Sequence, residues 1–160
     1  MAKKHNHKLR GHLDFQGLNI AIEQRVGDAR SGVSAEGKHW RTVMKNIYGY
    51  VVGSKGSDDE GVDIFVGPDK EAPNVYVVQQ VDDDGNYDED KCIVGVSSKE
   101  EAKKLYLSNY DTPKYLGPIK TVPMERFKAL MASGKKLTKI SSPMLLSLFE
   151  EIDAIHEANT

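Results

Sequence analysis

Six short β-type runs follow one another between Leu18 and Val96: LNIAIE (18–23), WRTVM (40–44), YGYVV (48–52), VDIFV (62–66), VYVVQQV (75–81) and CIVGV (92–96). Gly, Asp and Asn punctuate the intervals, so the runs read as strands closed by turns. Chain neighbours joined by short turns cannot pair in parallel, which predicts a small antiparallel barrel or a strongly curved sheet. Beyond Val96 the period changes. Ser98 and Glu101 form a capping-box pattern, and Ala102, Leu105 and Tyr106 recur at helical spacing, which predicts a helix over 98–110. A second helix is expected over Met124–Ser133 with Gly134 as its stop. Ser142 followed by Pro143 opens a third, whose Leu145, Leu148, Phe149, Ile152 and Ile155 make one apolar stripe, to be covered by the sheet or by a sister subunit. Strands first and helices afterwards indicate an α+β fold.

The chain has 160 residues, 39% of them hydrophobic, which suffices for one core. With 22 Lys and Arg against 24 Asp and Glu, net charge supplies no drive toward nucleic acid or anionic membrane, so a charge-based function must be local. The single Cys92 excludes an internal disulfide and a multi-cysteine metal site, and within CIVGV it reads as a buried, inert thiol. No apolar run approaches the ~20 residues of a membrane span, and no apolar segment follows the basic N-terminus as in a signal peptide. The sequence therefore reads as that of a soluble, intracellular protein. Three regions are expected: a flexible basic arm over 1–12, a barrel domain over 13–133, and a linker with the amphipathic helix over 134–160.

The charge is concentrated at strand ends. Asp58, Asp59 and Glu60 lead into a strand that carries Asp63 between Val62 and Ile64, where a lone ionised carboxylate would cost several kcal/mol unless paired or metal-bound. A second cluster, VDDDGNYDEDK, closes the hairpin between two apolar strands. Carboxylates gathered this way are tolerated mainly beside a divalent cation, and all-oxygen donors favour Mg²⁺, Mn²⁺ or Ca²⁺. For Asp82 to Asp84 an ordinary polar turn explains the pattern equally well. An EF-hand loop is disfavoured, because with Gly85 sixth the twelfth position is Lys91. Arg25, Arg30, Lys38, Arg41, Lys45, Lys55, Lys91 and Lys114 surround these ends with Tyr48, Tyr87 and Tyr110. Metal-bridged carboxylates beside Arg and Lys are what phosphoryl transfer needs.

The string YGYVVGSKGSDDEGVDIFVG (48–67) resembles the signature region of soluble family I inorganic pyrophosphatases, a tyrosine-glycine pair followed by an Asp-Gly-Asp-Pro-Val-Asp-Val segment. A closer likeness is to the pyrophosphatase-like domains of bacteriophages and prophages. It is carried by GHLDFQGLNIAIEQRVGDARSG (11–32), GKHW…M…YGY (37–50), VDIFVGP (62–68), APNVYVVQQ (72–80) and YDEDKCIVGVSSKEEAKKLY (87–106). It spans Gly11 to Met131 and implies an OB-like antiparallel barrel with two to three flanking helices.

The resemblance implies roles residue by residue. Asp58 and Asp63 match metal-ligand aspartates. Glu60 stands at the aspartate that activates water, one methylene longer, and Asp59 stands at a glycine. Glu23 is similar to an early active-site glutamate, Lys91 to a late lysine, Glu89 and neighbouring Asp88 to a ligand position, and Asp83 to a further ligand. Tyr48 and Tyr110 match tyrosines near phosphate. Asp111 occupies a typical lysine position, for which Lys114 is the nearby substitute, and Arg30 and Arg41 are phosphate-binding candidates. Mg²⁺ or Mn²⁺ is the implied cofactor and pyrophosphate or a nucleotide-like molecule the implied substrate. The expected catalytic pair is Glu60 and Asp63. Further implied are no membrane contact, a homo-oligomer, residence in the cytoplasm of a bacterial host or on a virion with capsid partners, and at most weak nucleic-acid contact through the arm. The alternative is a catalytically weakened or inactive assembly module that keeps the fold.

Overall fold

The structure, a computed structural model, describes residues 8–142. The expected third helix with its apolar stripe and the first seven residues of the expected basic arm lie outside the described residues. The chain forms β1 (Gly11–Phe15), β2 (Leu18–Gln24), β3 (Ala29–Val33), β4 (His39–Val43), β5 (Ile47–Val51), β6 (Asp63–Val66), β7 (Asn74–Val81), β8 (Tyr87–Val94), α1 (Lys99–Ser108), β9 (Ile119–Pro123) and α2 (Met124–Ala132). β1 takes in Gly11 and His12, so the sheet begins inside the stretch that composition assigns to the arm.

Seven strands make one sheet in the order β1-β2-β5-β6-β8-β7-β9, while β3 and β4 form a separate antiparallel ribbon. The sheet is mixed and open, which corrects the expected antiparallel OB-like barrel. β7 and β8 form the hairpin, and β8 returns between β6 and β7, so β6 and β8 lie parallel. The rule that short turns give antiparallel pairs governs chain neighbours, and β6 and β8 are not chain neighbours.

Both faces of the central strands are buried, hence their nearly continuous apolar runs. Ile64, Val75, Val77, Cys92 and Val94 pack with Phe127, Leu130 and Met131 of α2 on one side. Phe65, Tyr76, Val78 and Ile93 pack with Ala102, Leu105 and Tyr106 of α1 on the other. Each fully buried Leu, Ile or Phe contributes about 1.5–3 kcal/mol, so Leu130→Ala is the kind of single change that would open the α2 layer. α1 starts as its sequence predicts: Ser98 Oγ accepts from the Glu101 amide at 3.1 Å, and Glu101 Oε2 accepts from the Ser97 amide at 2.9 Å.

Two positions in the quoted signature have backbone reasons. A Cβ on Gly49 would stand 1.8 Å from the Ala21 carbonyl oxygen, so β2 and β5 approach as only glycine allows. Asp59 has φ +65°, the left-handed region where glycine costs least and aspartate is among the tolerated residues.

Candidate active site

Strand register builds the centre of the site. Asp63 opens β6 opposite Tyr50 of β5 on one side and Lys91 of β8 on the other. Because side chains alternate, Asp63 shares a face with Phe65 and Lys91 with Ile93, toward the α1 layer. There the Lys91 ammonium donates to Asp63 Oδ2 at 2.9 Å and to the Tyr48 hydroxyl at 2.8 Å, and it pairs with Glu89 Oε1 at 2.8 Å. Three partners use its three donors, the condition under which a buried ammonium is tolerated. Lys91 and Asp63 are each only 4% exposed. Burial works against the lysine charge, yet Asp63 first and then Tyr48, Tyr110 and Glu89 hold its pKa well above the usual lysine value. Burial, followed by the Asp63 charge, pushes the Tyr48 hydroxyl well above the usual tyrosine value, so it keeps its proton.

Arg30, on β3, reaches the same centre from the ribbon. Its guanidinium lies 5.2 Å from the Tyr48 ring centroid and 5.1 Å from that of Tyr110, a double cation–π contact. One guanidinium nitrogen donates to the Asn109 carbonyl at 3.2 Å. The Arg30 Nε and the Tyr110 hydroxyl are both buried without a hydrogen-bond partner. Fully buried Asn109 ties the surroundings together, accepting from the Lys45 amide at 2.8 Å and donating to Leu105 O at 2.8 Å and Asn46 Oδ1 at 3.0 Å.

The two acidic segments converge. Asp58, Asp63, Glu89 and Asp90 all line one cavity of about 10 Å³, room for a single water- or ion-sized occupant. Asp58 is set by its own turn, Oδ1 accepting from the Glu60 amide at 3.0 Å. Asp90 follows Glu89 on the opposite face of β8 and accepts from the Ile140 amide at 3.2 Å, while its second oxygen is buried without a partner. Burial raises its pKa to about 6, against the opposing pull of the Ile140 N–H.

These oxygens fit a hard divalent cation in type, and Asp90, one of the cavity's lining residues, keeps one buried oxygen without a partner. Lys91 competes for two of them, and among the described residues no group of three or more His, Cys, Asp or Glu is set to hold a metal ion.

Other expected residues are placed elsewhere. The exposed Asp83 pairs with Lys114 at 2.7 Å and accepts from the Tyr115 hydroxyl at 2.9 Å, and those two bonds lower its pKa. Neither Asp83 nor Lys114 lines the acidic cavity. Asp82 serves its hairpin, accepting from the amides of Asp84 at 2.9 Å and Asn86 at 3.0 Å. Asp88 is exposed, and Arg41 is exposed on the face of the ribbon opposite Arg30. Glu60 is half-buried in the Asp58 turn but does not line the cavity. Glu23 is buried at the β2 bulge beside the Tyr48–Gly49 pairing.

Sequence reasoning passed over Asp90 and Asn109. The alternation EDKCIV carried the signal for Asp90, once residues 87–91 are read as strand rather than turn. Nothing in the local sequence marks Asn109, whose partners include Arg30 on β3 and Lys45 and Asn46 in the β4–β5 loop, all distant along the chain.

A comparison with protein families matches residues 1–132 to the one described as Inorganic Pyrophosphatase. No curated protein and no solved structure matches the chain.

Proposed function

The chain belongs to the inorganic pyrophosphatase family, and on that premise we propose that it is a divalent-metal-dependent hydrolase of pyrophosphate or a related phosphoanhydride. Membership implies pyrophosphate as the substrate and a divalent metal as the cofactor at family level. The observation that carries the reading for this chain is the meeting of Asp58, Asp63, Glu89 and Asp90 at one cavity, next to Lys91.

Asp58, Asp63, Glu89 and Asp90 would hold Mg²⁺ or Mn²⁺, which when bound polarises a phosphoryl oxygen and acidifies a water. Lys91 and Arg30 supply positive charge for the phosphate oxygens, and Tyr48 and Tyr110 supply hydroxyl groups beside them. The pKa of Lys91, well above the ordinary lysine value, keeps the ammonium charged through the neutral range. Burial of Lys91 keeps water from that charge and strengthens its field, with Tyr48, Phe65, Tyr106 and Tyr110 packed on one another nearby. Glu60, on the Asp58 turn, positions the attacking water in this reading. The phage-type assignment, with cytoplasmic or virion residence and a homo-oligomeric state, rests on the quoted likeness and is part of the same proposal.

The second reading, a catalytically weakened module that keeps the fold, is favoured by one observation: Lys91 already balances Asp63 and Glu89. Phosphate release from pyrophosphate and from nucleoside polyphosphates with Mg²⁺ or Mn²⁺ separates the two. Turnover is expected, with Asp63→Asn lowering it by about 10²-fold or more. Absence of release from pyrophosphate and from nucleoside polyphosphates alike, with either metal, sinks the hydrolase reading and leaves the module.

A further inference from the structure

Beside Arg30, between the β3–β4 ribbon and the segment after α1, lies a second cavity of about 270 Å³. That is just below the ~300–1,000 Å³ typical of sites for drug-sized ligands, and suits one planar ring system with part of a sugar. Three of its walls are aromatic: Trp40, Tyr110 and Tyr115. We infer that this cavity binds a nucleobase, which makes the substrate a nucleoside polyphosphate rather than bare pyrophosphate; the inference rests on the phosphoanhydride reading of the neighbouring acidic site.

The walls are built to stay in place. A Cβ on Gly32 would fall 2.7 Å from the Trp40 ring, so the indole lies directly over a residue kept free of side chain. The Tyr115 hydroxyl is tied to Asp83, which Lys114 holds in turn. The exposed acid–lysine pair that contributes nothing to the acidic cavity therefore acts here, by fixing a wall. Flat aromatic surfaces suit any base, because every base offers a π-face.

The polar groups divide by position. Arg30 and Tyr110 line this cavity and also flank the Lys91 centre, and each carries one buried polar atom, Nε and the hydroxyl, without a hydrogen-bond partner. A ligand spanning the two spaces satisfies both groups with its phosphate chain, removing the cost of leaving them unpaired. Asp111, which also lines the cavity, would repel a further phosphate but can accept from ribose hydroxyls or an exocyclic amine. A cation, three aromatic rings and a carboxylate lining one cavity suit a molecule that is anionic at one end and neutral and flat at the other.

Trp40 is the single tryptophan of the chain, so its fluorescence reports this cavity without interference. The test titrates the full-length protein with ATP, GTP and tripolyphosphate, in chelator and with Mg²⁺, and measures turnover of the same compounds and of pyrophosphate. Saturable quenching by the nucleotides but not by tripolyphosphate is expected, with kcat/KM for the nucleotides about tenfold or more above that for tripolyphosphate. Tyr115→Leu should raise KM for the nucleotides and leave tripolyphosphate hydrolysis unchanged. Equal behaviour of nucleotide and tripolyphosphate in both measurements overturns the inference. Nucleotide quenching without turnover of any compound upholds the base site while the hydrolase reading falls, so the two failures are distinguishable.

Discussion

Lys91 with Asp63 and Tyr48, and Lys114 with Asp83 and Tyr115, use the same three residue types at nearly the same distances. The ion pairs measure 2.9 and 2.7 Å, and a tyrosine hydroxyl completes each at 2.8 and 2.9 Å. What separates them is water. The first cluster sits under Tyr48, Phe65 and the α1 layer with both charged side chains at or below 5% exposure. The second is about half exposed on a hairpin. The tyrosine accepts from the lysine in the first and donates to the aspartate in the second, but the larger difference is exposure: in the first, every partner is needed to offset the others' desolvation, while in the second, solvent replaces any partner that is lost.

The sharpest way to break this comparison is to remove one lysine at a time. Lys91→Met leaves Asp63 and Glu89 with no buried cation and should cost about 3–5 kcal/mol in denaturant unfolding, besides abolishing turnover. An unchanged unfolding midpoint would mean that the cluster is wetter than its burial indicates.

Asp90 tests the same principle with the opposite sign, since its burial is offset by an amide rather than a cation. Its pKa, raised from 3.8 to about 6, means that the native state binds the proton more tightly than the unfolded chain does. In chelator, stability should therefore fall as pH rises from about 4 to 6, with a total cost of about 2–3 kcal/mol fully present above that range. Unfolding midpoints at acid and neutral pH, for the native protein and for Asp90→Asn, read this directly. The variant should show a flatter profile, and an equal slope in both would assign the pH dependence to other groups.

The smallest effect belongs to the exposed cluster. Lys114→Met and Asp83→Asn should leave the unfolding midpoint where it is, and a measurable loss in either would show that the hairpin cluster is structural.

Much of the fold was legible because its signals are local. The apolar runs located six of the nine strands among the described residues, and the Ser98–Glu101 pair located the start of α1. β1, β3 and β9 were missed for a common reason: GHLDF, ARSGV and IKTVP each expose two or three of their five residues and carry glycine or proline, so none has the apolar density of a central strand. Within the site, Asp63 was legible as a charge that needed a partner, being flanked by Val62 and Ile64. That the partner is Lys91, and that Asp83 belongs with Lys114 instead, was not, because both acids sit in equally acidic stretches.

What the sequence by itself determined is the inventory: one core's worth of β-type runs, two described helices with their boundaries, and a set of acids and bases suited to phosphate chemistry. The tertiary structure decided which of them act together. The return of β8 between β6 and β7 sets Lys91 beside Asp63 and brings Glu89 and Asp90 to the Asp58 turn. It also divides the basic residues, turning Arg30 inward on its ribbon and Arg41 outward. The physical reason is that composition and periodicity are properties of neighbours along the chain. The energy of a charge depends instead on what is near it in space and whether water reaches it, and that is settled only when non-adjacent strands choose their register.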